Sequence, residues 1–245
     1  MVCLLMTLSR YLLTLLLTFP MASAGALEQQ KDIDPWESMN RRVFVFNETL
    51  DKYLLKPVAK GYRFIMPDPA ERSVTNFIAN IYEFNTIINS LLQGHPGNAF
   101  HSGGRFVVNT TVGLLGFFDV ASRMELDHRP ADFGQTLAVW GFDSGPFIMA
   151  PLIGPRTCRS LTGYFFDTYT SLPALNDDTE LAYIFWTVEV IDIRARLIKA
   201  EDLITGDRYI FIRDAYLQRR EAFVNNGEVE DSFSDFEEDD DWEEF

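Results

Sequence analysis

The stretch that decides the fold is Asp132-Phe133-Gly134-Gln135-Thr136-Leu137-Ala138-Val139-Trp140-Gly141-Phe142-Asp143-Ser144-Gly145-Pro146-Phe147-Ile148-Met149-Ala150-Pro151-Leu152-Ile153-Gly154-Pro155-Arg156. Between Phe133 and Pro155 its only charge is Asp143. Yet Pro146, Pro151 and Pro155, with Gly134, Gly141, Gly145 and Gly154, forbid one long helix. A greasy segment that cannot span a bilayer as a regular helix must hide its backbone elsewhere, either buried in protein or lining a cavity. In an exported chain that points toward lipid. Only Leu137–Phe142 and Phe147–Leu152 have strand character.

On both sides of this segment the periodicity is helical. Asp34-Pro35-Trp36-Glu37 predicts an N-cap, a proline at the first helical position and a glutamate three residues after the cap. Trp36, Met39, Val43, Phe46 and Leu50 then repeat at 3,4,3,4 spacing, an apolar stripe expected to be buried, and Pro57 is expected to end that helix. Asp68-Pro69 opens a second helix whose stripe is Val74, Phe77, Ile81, Ile88 and Leu91, with Gly94-His95-Pro96-Gly97 as its stop. A third is expected from about Asn98 to Leu115. Leu181, Ile184, Val188, Ile191, Ala195 and Ile198 form a long stripe before Gly206. Asp207 caps a last helix with Tyr209, Ile212, Tyr216 and Phe223 on one face, ended by Asn225-Asn226-Gly227. The predicted class is all-α, amphipathic helices around one irregular Gly/Pro-rich apolar segment.

Arg105 to Phe118 carries no charge after Arg105. Two readings stay open, a central core helix or a helix lying in the membrane beside the 133–155 segment. With 21 phenylalanines and 14% aromatics the chain is rich in groups that settle at lipid interfaces.

The ends read differently from the body. Arg10, the apolar run Tyr11–Phe19, Pro20 and Ala22-Ser23-Ala24 predict a cleavable export signal over residues 1–26, with Ala24-Gly25-Ala26 as a second cleavage site. Cys3 leaves with it, so Cys158 is alone in the mature chain and no disulfide is expected. Glu228 to Phe245 carries eleven acids and no base, so most of the formal charge of −15 sits there, and residues 228–245 are expected to be a disordered tail. Phe233, Phe236, Trp242 and Phe245 punctuate it, a pattern of segments that dock on basic partners. Residues 27–227 remain as one helical domain, long enough for a core of its own.

Catalytic chemistry finds little support. Gly141-Phe142-Asp143-Ser144-Gly145-Pro146 resembles a protease nucleophile loop only superficially, and His95, His101 and His128 sit in no protease context. No Gly-x-Ser-x-Gly, phosphate loop or dinucleotide fingerprint occurs. His95 and His101 lack carboxylate or cysteine company at a metal spacing. An acidic chain without a basic stripe is no nucleic-acid binder. The expectation is no enzyme, no metal and no cofactor.

Several separate motifs together resemble the MlaA family, also called VacJ. They are Asp34-Pro35-Trp36-Glu37-Ser38-Met39-Asn40-Arg41-Arg42-Val43-Phe44-Val45-Phe46-Asn47, Lys56–Arg63, Arg105–Gly113 with Gly116–Ala121, Asp132–Leu137 through Gly154-Pro155, and Arg213–Arg220. The resemblance covers about Asp34 to Gly227. It implies a ring-like bundle in the periplasmic leaflet of the outer membrane, enclosing an amphipathic channel that passes mislocalised phospholipid from the outer leaflet. It implies trimeric porins as partners, and a soluble periplasmic shuttle that feeds an inner-membrane ABC transporter. Family lipoproteins need a cysteine directly after the cleavage site. Here that place reads Ala22-Ser23-Ala24-Gly25-Ala26-Leu27, so attachment is expected through the apolar surface and a porin rather than an acyl chain. The alternative from a different class is a soluble periplasmic helical protein that binds an apolar ligand or serves as a scaffold.

Three groups of residues are expected to carry the function. Gly141, Asp143, Ser144, Gly145, Pro146, Pro151, Gly154 and Pro155 are channel-wall candidates. Asn40, Arg41, Phe44, Phe46 and Asn47 are ring-closure or gate candidates. Asn40 and Asn47, seven apart, share a helix face and are placed to bond neighbouring backbone, whereas Phe44 lies off the stripe and is expected to meet lipid. Phe106, Leu114, Leu115, Phe117 and Phe118 are membrane-contact candidates.

Overall fold

The computed structural model describes residues 33–176, 179–198, 201, 204 and 206–225. The predicted export signal and the acidic tail lie outside the described residues. Within them the protein is all-α with a single two-stranded sheet.

Helix α1 (Glu37–Leu50) runs through a π-helical turn, Asp51–Leu55, directly into α2 (Lys56–Ile65). Pro57 therefore does not end the first helix, contrary to expectation. A proline lacks the N–H and crowds the carbonyl four residues back. The widened π turn just before it absorbs both faults, and Pro57 falls in the first turn of α2. After Pro67 comes α3 (Asp68–Leu92), then α4 (Pro96–Thr111). Helix α4 stops four residues short of its predicted end, because Leu114 and Leu115 turn left-handed at φ 51° and 62°. The short α5 (Val120–Arg123) is capped by Asp119 and α6 (Phe133–Val139) by Asp132.

Strands β1 (Phe147–Ala150) and β2 (Gly154–Thr157) pair antiparallel, Phe147 opposite Thr157 and Ala150 opposite Gly154. The strand character read at Leu137–Phe142 is not realised, since most of it continues α6 or its closing turn. Then follow α7 (Cys158–Thr170), α8 (Leu172–Leu175), α9 (Thr179–Leu197) and α10 (Arg208–Val224). Helix α3 packs on α4, α6 on α7, α9 on α2 and α3, and α1 on β1.

The apolar core is small. Phe147, Met149 and Tyr209 form it, with Val43, Phe44, Tyr216 and Leu217 against them. Elsewhere polarity is reversed. Buried positions of α3 are Ile78 and then Asn80, Glu83, Asn85, Thr86, Asn89 and Ser90. Trp36, Met39 and Phe46 of the first apolar stripe are exposed, as are Leu181, Ile184 and Val188 of the stripe on α9. The face that α9 turns inward carries Ala182, Asp192 and Ala195. Among the described residues, no helix is long and apolar enough to cross a membrane.

Candidate functional site

The irregular segment is fastened to α1 by two asparagines. Asn40, fully buried, donates to the Phe147 carbonyl (3.1 Å) and to Asp34 (2.8 Å), and its Oδ1 accepts the Met149 N–H (2.9 Å). Asn47 donates to the Ala150 carbonyl (3.0 Å) and accepts the Leu152 N–H (2.9 Å). Seven helical residues rise about 10.5 Å. Three strand residues rise about 10 Å, so the next pair of backbone groups along β1 meets the next asparagine. The shared face read from the sequence is therefore the one that holds the hairpin.

The other residues of that motif divide. Phe44 does not face lipid, contrary to expectation. Its ring meets Tyr209 edge-on at 5.6 Å and packs on the aromatic core. Arg41 bridges Glu37 (2.6 Å) and Asp207 (2.9 Å) and lies over the Tyr209 ring, while Phe46 is exposed.

Along the hairpin, Gly141 and Asp143 are exposed and Ser144 and Pro146 half-buried. The Ser144 and Pro146 carbonyls accept from Arg159 and Cys158 N–H groups (3.1 and 3.2 Å), which seats the segment on the start of α7. Gly145 has φ +68°, and a Cβ there would stand 2.8 Å from the Cys158 Cβ, so both conformation and space demand glycine. Pro151 is exposed at the tip, and Gly154 and Pro155 return in β2, half-buried.

The membrane-contact candidates gather at a different place. Phe106 is half-buried on α4. Leu114 and Leu115 are 62% and 60% exposed, and Phe117 and Phe118 are also exposed, all on the turn after α4. Left-handed backbone costs a leucine about 1–2 kcal/mol, yet both leucines hold it. The turn is tied internally by Gly116 N–H to the Asn109 carbonyl (2.8 Å) and Phe118 N–H to the Gly113 carbonyl (2.9 Å). Asn80 and Asn76 of α3 donate to the Leu115 and Phe117 carbonyls, both at 3.4 Å. The strain thus buys an outward aim for four apolar side chains. This tip is bound to α3 and the hairpin to α1, so the two predicted groups sit on different helices.

Periodicity alone missed the polar seam between them. Arg105, 3% exposed, donates from Nε to Glu83 (2.6 Å), from one amino group to Ser122 (3.1 Å) and the Leu126 carbonyl, and from the other to Asp119 (3.3 Å). His128 stands 3.0 Å from the same Glu83 oxygen. Burial pushes the Glu83 carboxyl up, but His128 and Arg105 together outweigh it and hold it below the usual range. Asn109 completes the knot, donating to Asp119 (3.1 Å) and accepting the Ala121 N–H (2.9 Å).

A second knot joins α6 to α7. Asp167 accepts from the Phe133 N–H (2.9 Å) and from Asn89 (2.7 Å), and Asp132 is clamped by both Arg220 amino groups (2.5 and 2.8 Å). Burial raises the Asp167 carboxyl to about 6. The helices meet through Gly163, where a Cβ would be 2.3 Å from the Gly134 nitrogen. A third knot centres on Asp192, fully buried, which accepts from Thr75 (3.0 Å), Tyr62 (3.4 Å) and Arg196 (3.1 Å). A signal for the first lay in α3, where Asn80, Glu83, Thr86 and Ser90, with Gln93 just past its end, recur at 3- and 4-residue spacing as a polar stripe. Among the described residues no group of three or more His, Cys, Asp or Glu side chains is placed to hold a metal.

Comparison with known proteins places the chain in a family. The chain is 36% identical over 215 residues to the intermembrane phospholipid transport system lipoprotein MlaA of Escherichia coli K12, covering 85% of this chain and 84% of that one. It is 34% identical over 206 residues to the protein of the same name from Haemophilus influenzae, covering 81% and 82%. A solved structure reported as "Structural basis for maintenance of bacterial outer membrane lipid asymmetry" superposes with a TM-score of 0.69 at 37% identity, over 78% of this chain and 99% of that one. The model of the family described as MlaA lipoprotein matches residues 32–223, which spans both asparagines of the hairpin clamp and all three polar knots. The chain belongs to the MlaA lipoprotein family.

Proposed function

We propose that this protein is a phospholipid transport component of the outer membrane, which maintains lipid asymmetry by passing mislocalised phospholipid from the outer leaflet to a periplasmic shuttle. The single observation that carries the reading is the reversal of polarity. A protein surrounded by water buries apolar side chains, and large exposed apolar patches mark contact with something else. Here α3 buries amides and a carboxylate, while α1, α9 and the tip after α4 present Phe46, Ile184 and Leu115 outward.

Helices that are apolar outside and polar inside suit a protein seated in one leaflet. Acyl chains meet the outer faces and head groups find donors and acceptors within. Helix α3, with 25 residues, is about 38 Å long, but its polar stripe keeps it from spanning. It lies along the leaflet, on the periplasmic side. The hairpin of Gly141 to Pro155 forms one wall of the passage, and Asp143 and Ser144 put polar groups beside the path of a head group. The tip of Leu114, Leu115, Phe117 and Phe118 enters the acyl region and holds the chain at the membrane. A trimeric porin steadies it there, and the shuttle passes lipid on to an inner-membrane ABC transporter.

The test combines location with barrier function. Leu115→Asp with Phe118→Asp should leave the fold intact, because both side chains point away from it. Recovery in outer-membrane vesicles after a salt wash should fall several-fold, and a null strain should stay detergent-sensitive. Undiminished recovery and full complementation would rule the tip out as a membrane contact. Release of the unaltered protein by osmotic shock would favour the soluble alternative.

A further inference from the structure

We infer that the cleft between the start of α3 and the end of α9 is a phospholipid head-group subsite, specific for a phosphodiester that carries an amine; this rests on the transport reading above. Asp68, Glu71, Arg72, Thr75, Asn76 and Arg196 line a cavity of about 250 Å³. That is below the roughly 300–1,000 Å³ of a site that swallows a drug-sized ligand. It fits a head group and leaves the acyl chains outside.

The cleft carries both charges that a zwitterionic head group needs. Arg196 is held in place from behind. Its Nε donates to Asp192, and that fully buried carboxylate is itself fixed by Thr75. The two amino groups of Arg196 have no acceptor among the described residues. A guanidinium oriented by a buried carboxylate has already lost its rotamer freedom, so an incoming phosphate does not have to order it. Arg72 is exposed on the facing helix, and among the described residues it has no ion-pair partner within 4 Å. Asp68 and Glu71, on the same first turn, likewise have none, and they supply acceptors for an ammonium. Asn76 adds a neutral amide.

The rim of the cleft is apolar where chains would leave it. Asn76 donates to the Phe117 carbonyl, and Phe77 stacks on Phe117 at 5.3 Å, so the tip with Leu114, Leu115 and Phe118 adjoins the lining. Phe64 and Ile65, four and three residues before Asp68, are 92% and 78% exposed. A diacyl lipid with its head in the cleft would lay its chains across these groups.

The experiment uses the full chain in detergent and four probes: dihexanoyl phosphatidylethanolamine, dihexanoyl phosphatidylglycerol, dihexanoylglycerol and inorganic phosphate. Loss of one charge-assisted contact costs about tenfold or more in affinity. Arg72→Gln, at an exposed side chain, should weaken both phospholipids by that factor and leave dihexanoylglycerol unchanged. Glu71→Gln with Asp68→Asn should weaken phosphatidylethanolamine and spare phosphatidylglycerol, which has no amine. Arg196→Lys keeps a charge beside Asp192 but loses the fork, and should fall between wild type and Arg72→Gln. If the unaltered protein binds both phospholipids and Arg72→Gln changes neither, the cleft is not the subsite although the transport reading stands. If inorganic phosphate binds as tightly as phosphatidylethanolamine and responds equally to Arg72→Gln, the site is an anion site with no lipid specificity. If the unaltered protein binds no phospholipid at all, the transport reading fails and takes the subsite with it.

Discussion

The region under the hairpin and the seam beside α3 solve one problem by opposite means. Under the hairpin, Phe147, Met149 and Tyr209 exclude water as the core of a soluble protein does. Beside α3, Glu83, Arg105, Asp119 and Asn109 fill the interior with charges and amides that bond one another. Apolar burial tolerates small errors of fit. A polar knot does not, because each group left without a partner costs its full desolvation. Where the outside is lipid, burying apolar surface gains little, since the chain exchanges one apolar medium for another. The specificity of packing then has to come from polar contacts, and the seam supplies them.

The two largest expected effects set these regions side by side. Phe147→Ala should cost about 3–5 kcal/mol of stability by opening a cavity in a fully buried site. Arg105→Met should cost as much by leaving the buried Glu83 carboxylate with His128 alone beside it. Denaturant titration of the detergent-solubilised protein measures both. Adding Glu83→Gln to Arg105→Met should restore about half or more of the loss, since the buried charge is gone, whereas no polar change repairs Phe147→Ala. If Arg105→Met costs less than about 1 kcal/mol, the contrast between the regions fails.

Asn40→Ala comes next, at about 2–3 kcal/mol, because it strips partners from the Phe147 carbonyl and the Met149 N–H at once. Asn47→Ala, nearer solvent, should cost less. Equal losses would mean that the hairpin tip and base are held alike.

Asp167 gives a pH signature. Its folded carboxyl lies at about 6, above the unfolded value near 4. The folded state therefore binds more protons between these values. Stability should fall as pH rises from about 4 to about 6 and stay level above, by about 3 kcal/mol. Asp167→Asn should flatten that part of the profile. A profile identical to wild type would remove Asp167 as its source.

The smallest effect sharpens the contrast most. Phe46→Ser changes an exposed side chain and should move stability by less than about 0.5 kcal/mol in detergent. Partition to vesicles should nonetheless weaken by about 1.5–3 kcal/mol, the worth of one phenylalanine taken out of apolar surroundings.

Much of the architecture was legible. The Asp68-Pro69 start, the Asp207 cap and the exclusion of a long helix from 132–156 all follow from residues whose backbone demands are local. The family was legible from spaced motifs. What periodicity could not give is the medium. Trp36, Met39 and Phe46 mark one face of a helix, but a stripe of apolar residues looks the same whether it meets a core or lipid. Phe44 was misplaced for that reason, since it meets the protein core together with Val43 of the stripe. The π turn before Pro57 was hidden because i→i+5 bonding leaves no pattern in composition. The knots around Arg105 and Asp167 join helices by pairs 10 to 88 residues apart, which only the fold brings together.

The asparagine clamp has a consequence for assembly. A two-stranded ribbon normally leaves a row of open backbone groups along each margin, a template on which another chain can zip up. On β1 the margin away from β2 is already occupied: Ile33 takes the Phe147 N–H, and Asn40 takes the Phe147 carbonyl and the Met149 N–H. Side chains of a helix here play the part of a third strand that cannot itself be extended. The ribbon is thereby closed to its own copies along that margin, and the sheet cannot grow past β1.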